Sequence, residues 1–160
     1  MILAYHLARG KVPLTKDFEL FKKRSEIGKR LADLHLMKPD ELNNPIAKFQ
    51  GSGENLVEKR KYNEGEERVY INKTQYFEGI EKKVWEYQIG GYQVLDKWLK
   101  DRKGRVLSLE DIKHYCRVVT AIRRTIDVQK VIDQIYPRIE EEVIEFSIQK
   151  AYTESLEDIP

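Results

Sequence analysis

The sequence predicts an α+β fold: a small, mainly antiparallel sheet flanked by helices near the two ends of the chain. Three observations carry this. Apolar residues return at helical spacing over residues 15–37 and again over 109–136, whereas residues 46–72 break into short runs separated by glycine-bearing turns. The third is size: 160 residues, 41% hydrophobic and 35% charged, allow one domain with a real core and a heavily solvated surface. The domain is expected to span residues 1–160.

The first helix is expected from Thr15 to Met37. Leu20, Ile27, Leu31 and Leu34 return to one face, with Phe18 and Phe21 widening it; Pro13 lies before the helix and Lys38-Pro39 ends it. The polar stretch Glu41 to Pro45 reads as a loop. IAKFQ, the GSGEN turn, LVEKRKY, NEGE and RVYIN follow. LVEKRKY and RVYIN form a hairpin in this scheme, because Val69 and Ile71 share a face and a glycine-bearing turn joins the runs. Neither face of LVEKRKY is wholly apolar, which makes it an exposed or edge strand.

A short helix is expected around Lys82 to Tyr87, then a bend or close backbone approach at Gly90-Gly91. Tyr92 to Asp101 should be helical, with Leu95, Trp98 and Leu99 facing inward, Asp96 and Lys100 paired at i,i+4, and Gly104 as the stop. Ser108 and Asp111 form a capping box that opens the longest helix. Ile112, Tyr115, Val119, Ile122 and Ile126 alternate spacings of three and four, and Val131, Ile132 and Ile135 extend the apolar surface to Pro137. A last acidic helical piece runs from Ile139 to Tyr152, and residues 153–160 form a frayed acidic tail.

Charge is unevenly spread. The net +2 conceals a balance of -5 over residues 138–160 and of +4 in each of the stretches 22–30 and 97–105. Clustered cations raise the local potential and attract phosphate more than the net charge implies. No eighteen apolar residues run together, and MILAYHLARGKVP has neither the apolar region nor the small-residue cleavage site of a signal peptide, so a cytoplasmic protein without a membrane partner is expected. A single cysteine, Cys116, excludes an intramolecular disulfide.

Most catalytic chemistry lacks its residues. His6, His35 and His114 have no partner at metal-ligand spacing, and His114 and Cys116, two apart on a helix, face opposite sides, so neither a metal nor another cofactor is expected. Cys116 reads as a small core residue. There is no nucleophile elbow and no GxxxxGK[ST] loop, and Gly51-Ser52-Gly53 reads as a turn. Asn44-Pro45 begins like the Asn-Pro-Pro-aromatic motif of amino-methylating DNA methyltransferases, but Ile46 and Ala47 follow. Asp40, Glu81 and Lys83 imitate the acidic-then-Glu-x-Lys pattern of metal-dependent nucleases, in which carboxylates hold Mg²⁺ and a lysine assists the attacking water.

The residues point instead to binding. From Tyr62 to Arg105, aromatics alternate with abundant lysine and arginine, a composition suited to phosphates, sugars and base edges. Candidate phosphate contacts are Lys59, Arg60, Lys61, Lys100, Arg102, Lys103 and Arg105. Candidate polar contacts near turns are Asn72, Lys73, Gln75, Gln88 and Gln93, since Asn and Gln suit adenine and Arg suits guanine by bidentate geometry.

PLTKDFELFKKRSEIGKRLADLHL, VYINKTQYFEGI and KVWEYQIGGYQVLDKWLKDRKGRVLSLEDIKHY, continued by YPRIEEEVIEF to about residue 146, resemble the C-terminal specificity domain of Type ISP restriction-modification enzymes and related adenine-specific DNA methyltransferases. IGGYQVLDKWLKDRKGR is the most specific block. The resemblance implies a module that recognises a target in double-stranded DNA while the catalytic motifs lie upstream, so the piece itself transfers no methyl group. Within it, Gly90 and Gly91 would form a turn, Tyr92 to Leu99 a packed helix, and Lys100 to Arg105 a basic end facing DNA. Only MILAYHLARGKV precedes the first block. The chain is then either a specificity domain that works with a separate methyltransferase or restriction chain, or a remnant. Two other functions stay open: a protein-interaction module docking on a methyltransferase or helicase partner through the helix from Leu109 to Tyr136 and the acidic tail, and a Mg²⁺-dependent nuclease.

Overall fold

Asp17 opens the first helix of the structure, a computed structural model that describes residues 15–141. Its Oδ1 accepts from the N–H groups of Glu19 and Leu20 at 2.9 and 3.1 Å, satisfying two donors that a helix start leaves unpaired. Helix α1 (Phe18–His35) ends where Met37 enters the left-handed region at φ 55°. There Lys38 N–H donates to Asp33 C=O and Met37 N–H to Leu34 C=O, the two bonds of a Schellman cap. Leu20 and Leu34 are buried, as the periodicity requires. Phe18 and Phe21 do not widen that face; they are 71% and 45% exposed. At about 100° per residue, Phe18 lies nearly opposite Leu20, and the one long helix packed against α1 covers only a stripe.

The expected loop after α1 contains a 3₁₀ turn, Asp40–Asn43, which buries Leu42. Four short strands follow: β1 (Lys48–Gln50), β2 (Lys61–Asn63), β3 (Arg68–Tyr70) and β4 (Tyr76–Glu78). They form one antiparallel sheet in the order β1-β4-β3-β2. β2 is an edge strand and pairs with β3 as a hairpin, as the alternation predicts. Only the end of LVEKRKY is strand, however; Leu56 makes an isolated bridge to Val106 instead. β4, an interior strand, has no counterpart in the sequence-based scheme. Its three residues are too few to show a period of two, and Phe77 carries its burial alone, opposite both Phe49 and Val69.

Helix α2 (Lys82–Trp85) leads into a second, two-stranded sheet, β5 (Gln88–Ile89) and β6 (Tyr92–Gln93). Gly90 and Gly91, at φ 57° and 82°, make the two-residue connection; positive φ at both positions is what a type I′ hairpin turn demands. Tyr92 and Gln93 are therefore extended rather than helical, and α3 (Val94–Lys100) starts two residues later than the periodicity indicated. Gly104, at φ 76°, turns the chain beyond it.

Helix α4 (Leu109–Glu141) begins with the expected reciprocal box: Ser108 N–H donates to Asp111 Oδ2, and Asp111 N–H to Ser108 Oγ, both at 3.1 Å. It does not stop at Pro137. Ile135 and Ile139 are buried against Leu20 and Ile27 of α1, so packing on both sides of the proline holds the helix through it. Val131, expected on the apolar face, is 38% exposed. Most of the acidic piece from Ile139 to Tyr152, the tail 153–160 and Pro13 lie outside the described residues.

The main core lies between the sheet and α2, α3 and the first half of α4. Phe77 sits at its centre, with ring centroids 4.8 Å from Phe49 and 4.3 Å from Tyr115. Trp98 packs on Tyr115 at 5.0 Å, so the inward direction read for Trp98 holds in part: it is half-buried at the core's edge.

Candidate nucleic-acid interface

Two basic stretches far apart in sequence run side by side. Gly104 N–H donates to Val57 C=O at 2.8 Å, Val57 N–H to Arg105 C=O at 3.0 Å, and Leu107 N–H to Asn55 C=O at 2.9 Å. These bonds lay residues 55–57 antiparallel to 104–107. Arg60 then reaches α3, its Nε and a terminal nitrogen donating to the two oxygens of Asp96 at 2.5 and 3.3 Å. The backbone that carries Lys59 and Lys61 is thereby brought beside the segment that carries Lys103 and Arg105.

The side chains on these segments and on α3 divide sharply by what they already hold. Arg60 is committed to Asp96. Arg102 lies over Trp98, its guanidinium carbon 3.5 Å from the ring centroid, and donates to Trp98 C=O at 3.2 Å and to Asp111 at 3.4 Å. These arginines fasten loop to helix, and their charges are neutralised in place. Lys59, Lys61, Lys100, Lys103 and Arg105 are exposed and pair with no carboxylate among the described residues. The acids on or just beyond α3 are all engaged: Asp96 by Arg60, Asp101 by Lys97 at 2.7 Å, Asp111 by Ser108 and Arg102. Lys97 holds the Asp101 carboxyl below the usual range, and the Ser108 N–H, then its hydroxyl, do the same for Asp111. What remains unpaired there, among the described residues, is five cations against two exposed carboxylates, Glu54 and Glu58, on the adjoining segment.

The polar candidates separate in the same way. Asn72 Oδ1 accepts from the N–H groups of Thr74 and Gln75 at 3.0 and 2.7 Å, while its Nδ2 donates to Leu56 C=O and Gln75 Oε1. Gln75, 2% exposed, also accepts from Asn55 N–H and donates to Asn55 Oδ1. Both amides are consumed in holding the 72–75 turn against residues 55–56, and neither faces outward to read a base. Asn at the head of NKTQ is itself an Asx-turn signal, so this role was visible in the sequence. The same network explains the Gly51-Ser52-Gly53 turn: a Cβ at Gly51 would lie 2.0 Å from Thr74 C=O. Gln93 is likewise occupied, donating to Trp85 C=O at 2.6 Å. Lys73 and Gln88 are exposed.

The sequence-based selection contained nothing apolar, yet Ile89 and Tyr92, beside the Gly-Gly turn, are 56% and 64% exposed. A hollow of about 250 Å³ separates this hairpin from α3, lined by Gly91, Tyr92, Asp96, Lys97 and Lys100 among others.

The nuclease-like triplet is otherwise engaged at Glu81. Its two oxygens accept from Arg123 at 2.7 Å and Lys83 at 2.6 Å, and these bonds, Lys83 first, lower its pKa. Among the described residues no three His, Cys, Asp or Glu side chains come together as a metal would need. Cys116 is buried, and burial pushes its thiol up to about 11, which removes the thiolate a nucleophile requires. No helix among the described residues is long and apolar enough to cross a membrane.

The fold and its surface define a small α+β module with exposed cations and closely tied arginines. The sequence profile of the Type ISP C-terminal specificity domain matches residues 6–131. The chain belongs to that family, found in restriction-modification enzymes. Its fold is similar to part of a nuclease-deletion mutant of the Type ISP restriction-modification enzyme LlaGI, in complex with a DNA substrate mimic, with TM-score 0.51, 20% identity, and coverage of 76% of this chain and 11% of that one. The ATP-dependent Type ISP restriction-modification enzyme LlaBIII, bound to DNA, aligns at TM-score 0.49 and 24% identity over 87% of this chain and 9% of that one. The chain thus spans about a tenth of the length of these solved enzymes. No curated protein matches it.

Proposed function

We propose that this chain is a DNA target-recognition module that binds double-stranded DNA through phosphate contacts from Lys59, Lys61, Lys100, Lys103 and Arg105, with Lys73 and Gln88 as further polar contacts. The observation that carries the proposal is the imbalance of unpaired charge: the acids around α3 are neutralised by neighbours, while five cations there and on the adjoining segment are not, against two unpaired carboxylates, Glu54 and Glu58. Five exposed cations on adjoining segments suit a polyanion, which gains from releasing its condensed counterions. Arg60 and Arg102 have a supporting role, holding the cationic segments in place. Family membership and the fold shared with LlaGI, whose structure contains a DNA substrate mimic, support the same assignment. In this proposal the catalytic part of an adenine-specific methyltransferase or restriction system is supplied outside the module.

Fluorescence anisotropy of the chain with a random-sequence duplex, titrated across salt, tests this. Binding should weaken with a steep log-log salt slope, and reversing Lys100, Lys103 and Arg105 to Glu should flatten that slope by about one for each phosphate contact removed. If the unaltered chain fails to bind at low salt, the assignment falls and a protein partner becomes the object of search.

A further inference from the structure

We propose that the β5–β6 hairpin is an apolar wedge that inserts its tip, Ile89 and Tyr92, between base steps of the DNA gripped by the cations beside it. This rests on the proposed function and adds a contact that phosphate binding does not require. The turn stands clear of the fold: a Cβ built on Gly90 or Gly91 would meet nothing within 4 Å, and the register places Ile89 opposite Tyr92, two large side chains both more than half exposed. Ile89 also borders a hollow lined by Leu34, Val118 and Ile122, and neither Ile89 nor Tyr92 belongs to a buried core cluster.

Its base is nonetheless fixed at three points. Val94 N–H donates to Tyr87 C=O at 3.1 Å, Gln93 Nε2 donates to Trp85 C=O at 2.6 Å, and Gln129 Nε2 of α4 donates to the Tyr87 hydroxyl at 3.0 Å. A rigid ribbon with an apolar tip can unstack bases, whereas a mobile one would yield. The occupant follows from charge. β6 runs directly into α3, and Tyr92 and Lys100 line one hollow, so a polyanion held at Lys100, Lys103 and Arg105 would place its bases near the tip. Lys97 Nζ, 5.9 Å from the Tyr92 ring centroid, steadies the ring beside that charge. The two glycines give the tip a backbone without side chains, thin enough to enter a groove.

The wedge and the phosphate contacts make opposite predictions for one pair of substitutions. In the anisotropy experiment, Ile89→Ser with Tyr92→Ser should weaken binding roughly tenfold or more, the order expected for a lost stacking contact, and leave the salt slope unchanged. The unaltered chain should also bind a duplex carrying a central mismatch more tightly than its fully paired counterpart, because the unstacking cost is already met, and the double variant should lose that preference. Circular dichroism of the variant should match the unaltered chain, since both residues are more than half exposed. Affinity and mismatch preference unchanged in the variant would overturn the wedge and assign the apolar tip to a protein partner, with the phosphate contacts intact. A flattened salt slope would equally overturn it. Absence of any binding by the unaltered chain would overturn the proposed function itself, and the wedge with it.

Discussion

The molecule has two unequally held regions. Around the sheet, fifteen buried residues from β3, β4, α2, α3, the connecting segments and the first half of α4 form one continuous core. The arm made by α1 and the far half of α4 rests on Leu20, Ile135 and Ile139, with Ile27 beside them, and a separate small cluster of Leu34, Leu42 and Ala121. Both regions are read as apolar from the sequence, yet only the first encloses its side chains on several sides. A helix meeting one other helix buries a seam, and Phe18 on the opposite face is left in solvent. The interface candidates all belong to the first region, where a firm scaffold can fix a cationic surface and a hairpin.

Substitutions can break that contrast. The largest effect is expected for Phe77→Ala: the side chain is fully buried between Phe49 and Tyr115, and its loss should cost about 4 kcal/mol in urea unfolding, enough to threaten the whole fold. Leu20→Ala should cost about 2 kcal/mol, the low end for such a change, because the seam has few neighbours to disturb. Hydrogen exchange should then quicken in α1 and in residues 132–141 while β3 and β4 stay protected. Equal quickening in both regions would show that they unfold as one. Asn72→Ala should cost about 1 to 2 kcal/mol by orphaning backbone donors of the 72–75 turn, with faster exchange confined to residues 51–56 and 72–75.

Smaller effects refine the picture of the core. The Tyr115 hydroxyl is enclosed without a hydrogen-bond partner among the described residues, and burial raises its pKa. Tyr115→Phe should therefore raise stability by about 1 kcal/mol, read as a higher midpoint in urea. Glu81 joins α2 to α4 through Arg123, and its folded pKa lies below its ordinary value of 4.5, so below that pH the unfolded state binds the proton first. The stability it contributes is present above pH 4.5 and is lost as pH falls through the lower folded value. Glu81→Gln should lower stability slightly at neutral pH and converge with the unaltered chain in acid, which flattens the acid limb of the stability profile.

Much of the architecture was legible because its signals are local. The capping box at Ser108 and Asp111, the periodic face of α4, the hairpin joining β2 to β3 and the glycine bend at 90–91 each lie within a few residues of chain. β4 was not legible, since a three-residue strand has no period of its own. For the candidate interface, the sequence located the cations and could not sort them. Arg60 and Lys59 look alike in a charge run; only the approach of α3, which brings Asp96 to one of them, makes the first a strut and leaves the second exposed.

The sequence by itself determined the class of fold, the long terminal helices, the concentration of positive charge near residues 59–61 and 100–105, and the resemblance to the specificity-domain family that the profile match bears out. Tertiary structure decided which polar groups remain available. Asn72, Gln75, Gln93, Arg60 and Arg102 are spent inside the fold, and Ile89 and Tyr92 are left outside it. The physical reason is that a hydrogen bond or an ion pair is a property of two groups and the space between them, and the chain brings those groups together only when it folds.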